Sequence, residues 1–470
     1  MNTRATLVLV AGVSGAVSWF AWAGTGPDLI TCFIGGTSPE TGFLNYGASN
    51  GRRAYAVLTV ACNQGDEGVR WEAASNRHPV MTQNMFRLRN GRIEQIGQSW
   101  LKHGYSATQI DWCTTCQGGG NDQLLGPGCC DPYGVYANGS QSVGPKSEVN
   151  PSTGYFPYPF CSPGLGGLSC PPAEPVIGRR LQVKQSDLDT SPDVQYFIEV
   201  QYLTADDVQL ASPRTDFNNA SYRPVAIDSN GDLAAWTGPI VHYQPAIFAW
   251  KAHGLGPNTP DPDVQLTSVM VPNDGLFWVA AKATDRGNGW WEYEYAVQNL
   301  NSDRAAGAFR VPLPTGSTLS VSDIGFHDVD YHSGEPYSLT DWPAVVNADS
   351  IRWATTPFAQ NAYANALRWG TLYNFRFRAN RPPVQGNVQL ELFKPGTPSS
   401  MTASVVVPGP LPCAADIAPS GGDGTVNVDD LLHVIANWGA AGANAADVNG
   451  DGGVNVDDLL AVIGSWGPCE

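Results

Sequence analysis

Residues 422–432 read Gly-Asp-Gly-Thr-Val-Asn-Val-Asp-Asp-Leu-Leu, and 28 positions later residues 450–460 read Gly-Asp-Gly-Gly-Val-Asn-Val-Asp-Asp-Leu-Leu. Trp438-Gly439 recurs at the same offset as Trp466-Gly467. One period held over that span marks an internal duplication, so the last part of the chain is two copies of one short unit. Residues 413–470 also hold nine acidic side chains, Asp416, Asp423, Asp429, Asp430, Asp447, Asp451, Asp457, Asp458 and Glu470, and no Lys or Arg. The whole chain of 470 residues has a formal net charge of -17, so about an eighth of it carries about half of that charge. The acidic balance excludes a broad electrostatic footprint for nucleic acid. Carboxylates this dense repel one another, which points to a cation among them.

The spacing of the oxygen-bearing residues says which cation. In the second copy Asp447, Asn449, Asp451, the Gly453 carbonyl, Asn455 and Asp458 stand at positions 1, 3, 5, 7, 9 and 12 of an EF-hand-like loop, with Gly452 at the sharp-turn position 6. Hard oxygen donors at that spacing suit Ca2+. Position 12 is Asp in place of the usual Glu, and the helix that normally precedes the loop is missing. After the loop, Leu459, Leu460, Ile463 and Trp466 fall at helical spacing and predict the apolar face of one short helix. In the first copy Asp423, Thr425, Asn427 and Asp430 take positions 5, 7, 9 and 12, but positions 1 and 3 fall on Pro419 and Gly421. Asp416 serves as the first ligand there only if residues 418–421 bulge outward.

Residues 413–470 resemble the type I dockerin module. The resemblance implies two loop-helix repeats folded around two Ca2+ ions and a pseudo-twofold axis, and a cohesin-like partner on a scaffolding protein. Many dockerin-bearing cargos act on polysaccharides. In well-known cellulosome modules polar residues at loop positions 10 and 11 set partner choice; here they are Val428-Asp429 and Val456-Asp457. That departure implies a different extracellular receptor or a calcium-clamped terminal cap. Cys413 and Cys469 bracket the module and are natural disulfide partners, a link worth roughly 4 kcal/mol by chain entropy.

Ahead of the tail the signals are for strands. Residues 193–203 alternate Val194, Tyr196, Ile198, Val200 and Tyr202 with Gln195, Glu199 and Gln201, the period of a half-buried strand. Residues 276–284 and 290–298 flank a turn-rich spacer and read as a hairpin. Residues 372–379 alternate Tyr373, Phe375 and Phe377 with polar residues, and Val388, Leu390 and Leu392 resume the pattern after Pro382-Pro383. These patterns predict a mainly β, sandwich-like region over residues 24–407, either one elaborated unit or two packed units split near residue 180. Residues 113–175 read as a long disulfide-rich loop segment. Residues 408–412 form a Pro-rich spacer before the small helical, calcium-binding module.

Arg4, the apolar run of residues 5–20 and Ala21-Trp22-Ala23 predict a signal peptide over residues 1–23. No later run is long and apolar enough to span a membrane, so a secreted, extracellular or cell-surface protein is expected. In such a compartment the ten cysteines are expected to form disulfides. Cys113, Cys116, Cys129 and Cys130 also admit a zinc reading, although the second pair is adjacent and not spaced by two.

Within residues 24–407, Asp328, Asp330 and His332 would share one face of an extended segment, able to hold a metal or do acid-base work if the chain bends near Gly334 and Pro336, with Glu335 close by. His78 and His103 are further acid-base candidates. Glu292 and Glu294, two apart on a strand and so roughly 7 Å apart, fit the spacing of a glycosidase pair. No nucleophile-elbow, zincin, Walker or dinucleotide signature occurs. Stretches such as residues 95–103 and 366–375 are similar to uncharacterised secreted proteins of Gram-negative bacteria. The expected function is docking of a β-sandwich binding or surface-structural region to an extracellular partner; the alternative is a dockerin-bearing hydrolase of extracellular polysaccharide.

Overall fold

The computed structural model describes residues 25–38, 40–140, 142–161, 173–314, 319–410, 413–420, 422–442 and 444–469. The expected signal peptide lies outside them. The protein is mainly β, and among the described residues most strands fall in four sheets.

Strands Leu29–Ile34, Thr59–Asn63 and Cys130–Tyr133 make a three-stranded sheet with Thr59–Asn63 in the centre. It packs on one face of a ten-stranded sheet whose middle strands are Gln195–Leu203, Val80–Arg89 and Arg92–Gln98. Leu29, Ile34 and Ala61 meet Tyr196, Ile198, Val200 and Tyr202 there. The opposite face, with Phe86, Leu88, Phe197 and Tyr222, packs against Leu276, Trp278, Ala280 and Leu372 of the next layer. That layer is a five-stranded sheet containing the predicted hairpin, Leu276–Asp285 paired antiparallel with Trp291–Asn299. It closes a β-sandwich with a second five-stranded sheet. Tyr293, Tyr295, Phe375 and Phe377 on one side interdigitate with Phe309, Trp353, Val388 and Leu390 on the other.

This layering revises three expectations. The strand predicted at residues 193–203 starts at Gln195 and is buried on both faces, since Glu199 is 0% and Gln201 1% exposed. A cut near residue 180 would sever the ten-stranded sheet, because strand Leu181–Lys184 pairs with both Arg52–Val57 and Arg92–Gln98. Within residues 113–175 lie short elements, including strand Cys130–Tyr133, which completes the three-stranded sheet.

Disulfides Cys62–Cys113, Cys116–Cys129 and Cys413–Cys469 are formed. Cys113 and Cys116 therefore have separate partners, and Cys130 meets Cys113 but not Cys116 and Cys129, so the zinc set suggested by their spacing does not assemble.

The tail holds two helices, Val428–Ala436 and Val456–Gly464. Helices this short are marginal alone, and here Val434 and Val462 meet in a small core with Ala415, Ile417, Val426, Ala446 and Val454. Strand Thr425–Val426 pairs with Gly467–Pro468, and the Cys413–Cys469 bridge closes the ends. Among the described residues no helix is long and apolar enough to cross a membrane.

Candidate functional site

The two tail loops share the backbone conformation of their paired glycines. Gly450 and Gly452 have φ of 71° and 94°, and Gly422 and Gly424 have 80° and 87°, the left-handed region that glycine enters without steric cost. In the second loop the Asp447 carboxylate accepts from the N–H groups of Asp451 at 3.1 Å and Gly452 at 2.9 Å. In the first, Asp416 accepts from Asp423 at 2.9 Å and Gly424 at 2.7 Å. Asp423 and Gly424 are the repeat counterparts of Asp451 and Gly452, so Asp416 occupies the role of Asp447. Gly422 N–H donates to the Pro419 carbonyl at 2.8 Å.

The remaining oxygens are tied into the same loops. Asn449 Oδ1 accepts from Asp451 N–H at 2.9 Å, and its amide donates to Asp451 Oδ2 at 3.1 Å. Asn455 donates to the Gly453 carbonyl, and Asn427 to the Thr425 carbonyl, both at 3.1 Å. Asp458 accepts from Asn455 N–H, and Asp430 from Asn427 N–H, both at 2.8 Å. Asn and Asp thus form a capping box at the start of each helix. The N–H groups of Asn455, Asn449 and Val448 hold the Asp458 carboxyl below its ordinary range, despite some desolvation. Burial works against the charge of Asp430, but the N–H groups of Asn427, Ala418 and Ile417 outweigh it and its carboxyl is also lowered. Each loop therefore offers oxygen donors only, a set suited to a hard divalent cation. The carboxylates of Asp447, Asp451 and Asp458 do not gather within 4.8 Å of one another. Among the described residues that closeness occurs at Cys32, Cys62, Cys113 and Cys130, and at Cys413, Asp416 and Cys469.

Each helix has two apolar faces, one more than its sequence predicted. Leu459 turns partly inward with Val462, while Val456, Leu460, Ile463 and Trp466 are 52%, 57%, 50% and 53% exposed. The first copy repeats this with Val428, Leu432, Ile435 and Trp438 at 53%, 54%, 50% and 53%.

The candidates ahead of the tail disperse. Strand Val321–His327 ends before Asp328, so the alternation assumed for residues 328–335 is not extended. Asp328 accepts from the Asn365 amide. Asp330 pairs with Arg52 and, at 2.8 Å, with Lys184. The Glu335 carboxylate accepts from the N–H groups of Lys146 and Ser147. His332 sits with Nε2 2.8 Å from the Arg180 carbonyl and Nδ1 3.1 Å from the Ser333 carbonyl. The gap lined by Arg52, Asp328, Asp330 and His332 has a volume of about 10 Å³, room for one water. Burial pushes His332 down to about 4, against the pull of those carbonyls. A lowered imidazole keeps its stabilising contribution above its ordinary pKa of about 6.5 and loses it as pH falls toward 4. Unfolding curves of the native protein are expected to lose about 3 kcal/mol through this residue over that interval. His332→Asn should flatten the dependence, and an unchanged slope would refute the assignment.

His78 Nδ1 donates to the Glu72 carbonyl at 3.0 Å, leaving Nε2 to accept from His103 Nδ1 at 3.0 Å. Burial lowers both imidazoles, His103 well below its usual value, and His103 stacks on Phe160 with centroids 3.8 Å apart. They form a satisfied, packed pair with no nucleophile attached. Glu294 accepts from Arg92 Nε through both oxygens, at 2.8 and 2.9 Å, and Glu292 pairs with Arg286. Burial raises the Glu294 carboxyl, and Arg92 opposes that. Both glutamates are committed to arginines, which removes the basis for a glycosidase pair. Glu294→Ala is expected to cost about 2 kcal/mol in a denaturant melt, less than for a sealed ion pair because Arg92 is partly exposed. An unchanged midpoint would show that the pair has no structural role.

No protein-family model matches the chain, and no curated protein matches it. Among solved structures, the exo-chitosanase CsxA of Amycolatopsis orientalis aligns with 78% of this chain and 26% of its own, at 9% identity and a TM-score of 0.16. A variant of that enzyme in complex with PNP-beta-D-glucosamine gives the same values. This chain thus spans about a quarter of that enzyme's length, and a superposition at this level supports no statement about fold or activity.

Two groupings were not foreseen from sequence. The exposed stripe was readable as spacing of i, i+4, i+7 and i+10 in both copies, but it merged with the inward residues into one apolar face. The meeting of Cys32, Cys62, Cys113 and Cys130 joins residues almost a hundred positions apart, and no local pattern signals it.

Proposed function

We propose that this protein is a secreted calcium-binding docking protein, whose duplicated tail attaches the β-sheet region to an extracellular, cohesin-like partner. The observation that carries the reading is the duplicated stripe. Eight large apolar side chains, three on each helix and a tryptophan just after it, stand half exposed while other apolar residues of the same helices fill the core. Contiguous exposed apolar surface of this kind marks an interaction site, and a helix face presenting it fits recognition through i, i+4 and i+7 anchors. The disulfides found among the described residues are consistent with export.

The second calcium site would use Asp447, Asn449, Asp451, the Gly453 carbonyl, Asn455 and Asp458. The first would use Asp416, Asp423, Thr425, Asn427 and Asp430. A bound Ca2+ supplies positive charge that offsets the loop carboxylates. The loops themselves set the entry angle of each helix through the capping boxes, and so fix where the stripes point.

Immobilised cohesin-like modules are expected to retain the full-length protein in calcium and release it in chelator. Leu432→Asp together with Leu460→Asp should abolish retention while leaving the circular dichroism spectrum unchanged, since both side chains already face solvent. Calcium-independent retention, or full retention of the double variant, would overturn the docking surface.

A further inference from the structure

Where the ten-stranded sheet meets the sandwich, an amine, an amide and a carboxylate stand in contact. Asn84 lies directly opposite Glu199 on one neighbouring strand and Gln98 on the other. The Asn84 amide donates to Glu199 Oε1 at 2.9 Å. Its Oδ1 accepts from Lys146 Nζ at 3.2 Å and from Thr82 Oγ1 at 3.3 Å. Lys146 Nζ also donates to Gln98 Oε1 at 2.9 Å and to the Gly370 carbonyl at 3.4 Å. Lys146 reaches in from a single helical turn, Lys146–Glu148, which the Glu335 carboxylate holds by the N–H groups of Lys146 and Ser147. Thr82, Asn84, Gln98, Lys146 and Glu199 are all buried.

Two states of the amine compete here. An ammonium has a hydrogen for each of its three acceptors and is then a satisfied buried cation. A neutral amine has two, enough for Gln98 and Gly370, and its lone pair is left for Asn84. Burial lowers the Lys146 amine to about 7, against the pull of Glu335 and Glu199, so near neutral pH much of it is uncharged. A neutral amine held on an amide is a nucleophile beside an electrophile. We propose that Lys146 and Asn84 become joined, side chain to side chain, by an isopeptide bond that the protein forms on itself with loss of ammonia.

The surrounding groups divide the work of that exchange. The Nζ lone pair attacks Asn84 Cγ, and the carbonyl π pair moves onto Oδ1, where the Thr82 hydroxyl stabilises the charge. Glu199 Oε2 is held by Ala246 N–H at 2.6 Å and the Gln298 amide at 2.7 Å, which keeps Oε1 on the leaving nitrogen. In the tetrahedral intermediate Nζ and Nδ2 share one carbon, so an oxygen that touches Nδ2 reaches both. The Glu199 carboxylate takes a proton from Nζ and returns it to Nδ2. The Cγ–Nδ2 bond then breaks, the charge on Oδ1 re-forms the carbonyl, and Nδ2 leaves as ammonia. The two side chains together lose one nitrogen and three hydrogens, and Glu199 ends as it began. The new bond ties the Lys146–Glu148 turn to the middle of the ten-stranded sheet and closes the chain between residues 84 and 146, which limits its freedom when unfolded.

The test uses full-length protein, reduced, alkylated, digested with trypsin and mapped by mass spectrometry. A linked Lys146 is no longer a cleavage site. The expected product is peptide 78–87, which carries Asn84, joined to the uncut peptide 103–179. Its mass should fall below the sum of the two by one ammonia. Glu199→Gln keeps the shape of the base without its proton chemistry, and should release 78–87 alone and restore cleavage after Lys146. Lys146→Met should also release 78–87 alone and lower the melting temperature by several degrees. Free 78–87 with cleavage after Lys146 in the wild type overturns the proposal, whether Asn84 is intact or deamidated. A joined pair in Glu199→Gln overturns the assignment of Glu199 as the base.

Discussion

Full-length protein titrated with Ca2+ in a calorimeter is expected to bind two ions, and the Asp447→Ala, Asp451→Ala variant is expected to bind one. Affinity in EF-hand-like loops follows the number of charged ligands. Removing two carboxylates from the second loop should weaken that site by at least about 100-fold, on the order of 2.7 kcal/mol. The first loop holds Asp416, Asp423 and Asp430 in matching hydrogen bonds and should keep its step. A single step in the wild type, or two steps in the variant, would dispose of the paired sites. Chelator should also reduce the helical signal, because a ligand that binds only the folded tail stabilises it by mass action, about 2.7 kcal/mol at 100 times its Kd. Asp458→Ala should be the more disruptive single change, since that carboxylate also accepts the N–H of Asn455 in the capping box.

Glu199→Ala is expected to destabilise the protein by about 3–5 kcal/mol, the cost of leaving three buried donors without their acceptor. The Glu199 carboxylate accepts from the Asn84 amide at 2.9 Å, Ala246 N–H at 2.6 Å and the Gln298 amide at 2.7 Å. These donors come from the ten-stranded sheet, from the turn before helix Phe248–His253 and from the sandwich hairpin, so one side chain joins three elements. Burial raises its carboxyl, and all three donors lose their acceptor in the alanine variant. Glu199→Gln keeps the shape and one acceptor oxygen, and should cost less. Denaturant melts decide it, and a loss below about 1 kcal/mol for Glu199→Ala would show that the network is not a joint.

The same residue shows where sequence stops informing. Alternation along residues 193–203 was legible, but a polar face reads the same whether it meets water or another sheet's amides. Gln201 donates to the Leu300 carbonyl and Lys146 to Asn84 and Gln98, so the part of the interface between layers around Glu199 is polar and carries no apolar signature. The sandwich beyond it was easier, because the aromatic rows of residues 291–297 and 373–377 fill a dry core. In the tail, duplication made the position of each loop and helix legible. The direction of each helix face was not, because Leu459 and Leu460 are adjacent and only packing decides which turns inward.

The bridge between Cys413 and Cys469 has a mechanical consequence. It joins the entrance of the first repeat to the exit of the second, so a pull arriving through the preceding chain reaches both repeats at once. Tension applied between the helices and the preceding chain would divide over two parallel arms, and neither repeat would have to unravel before the other bears strain.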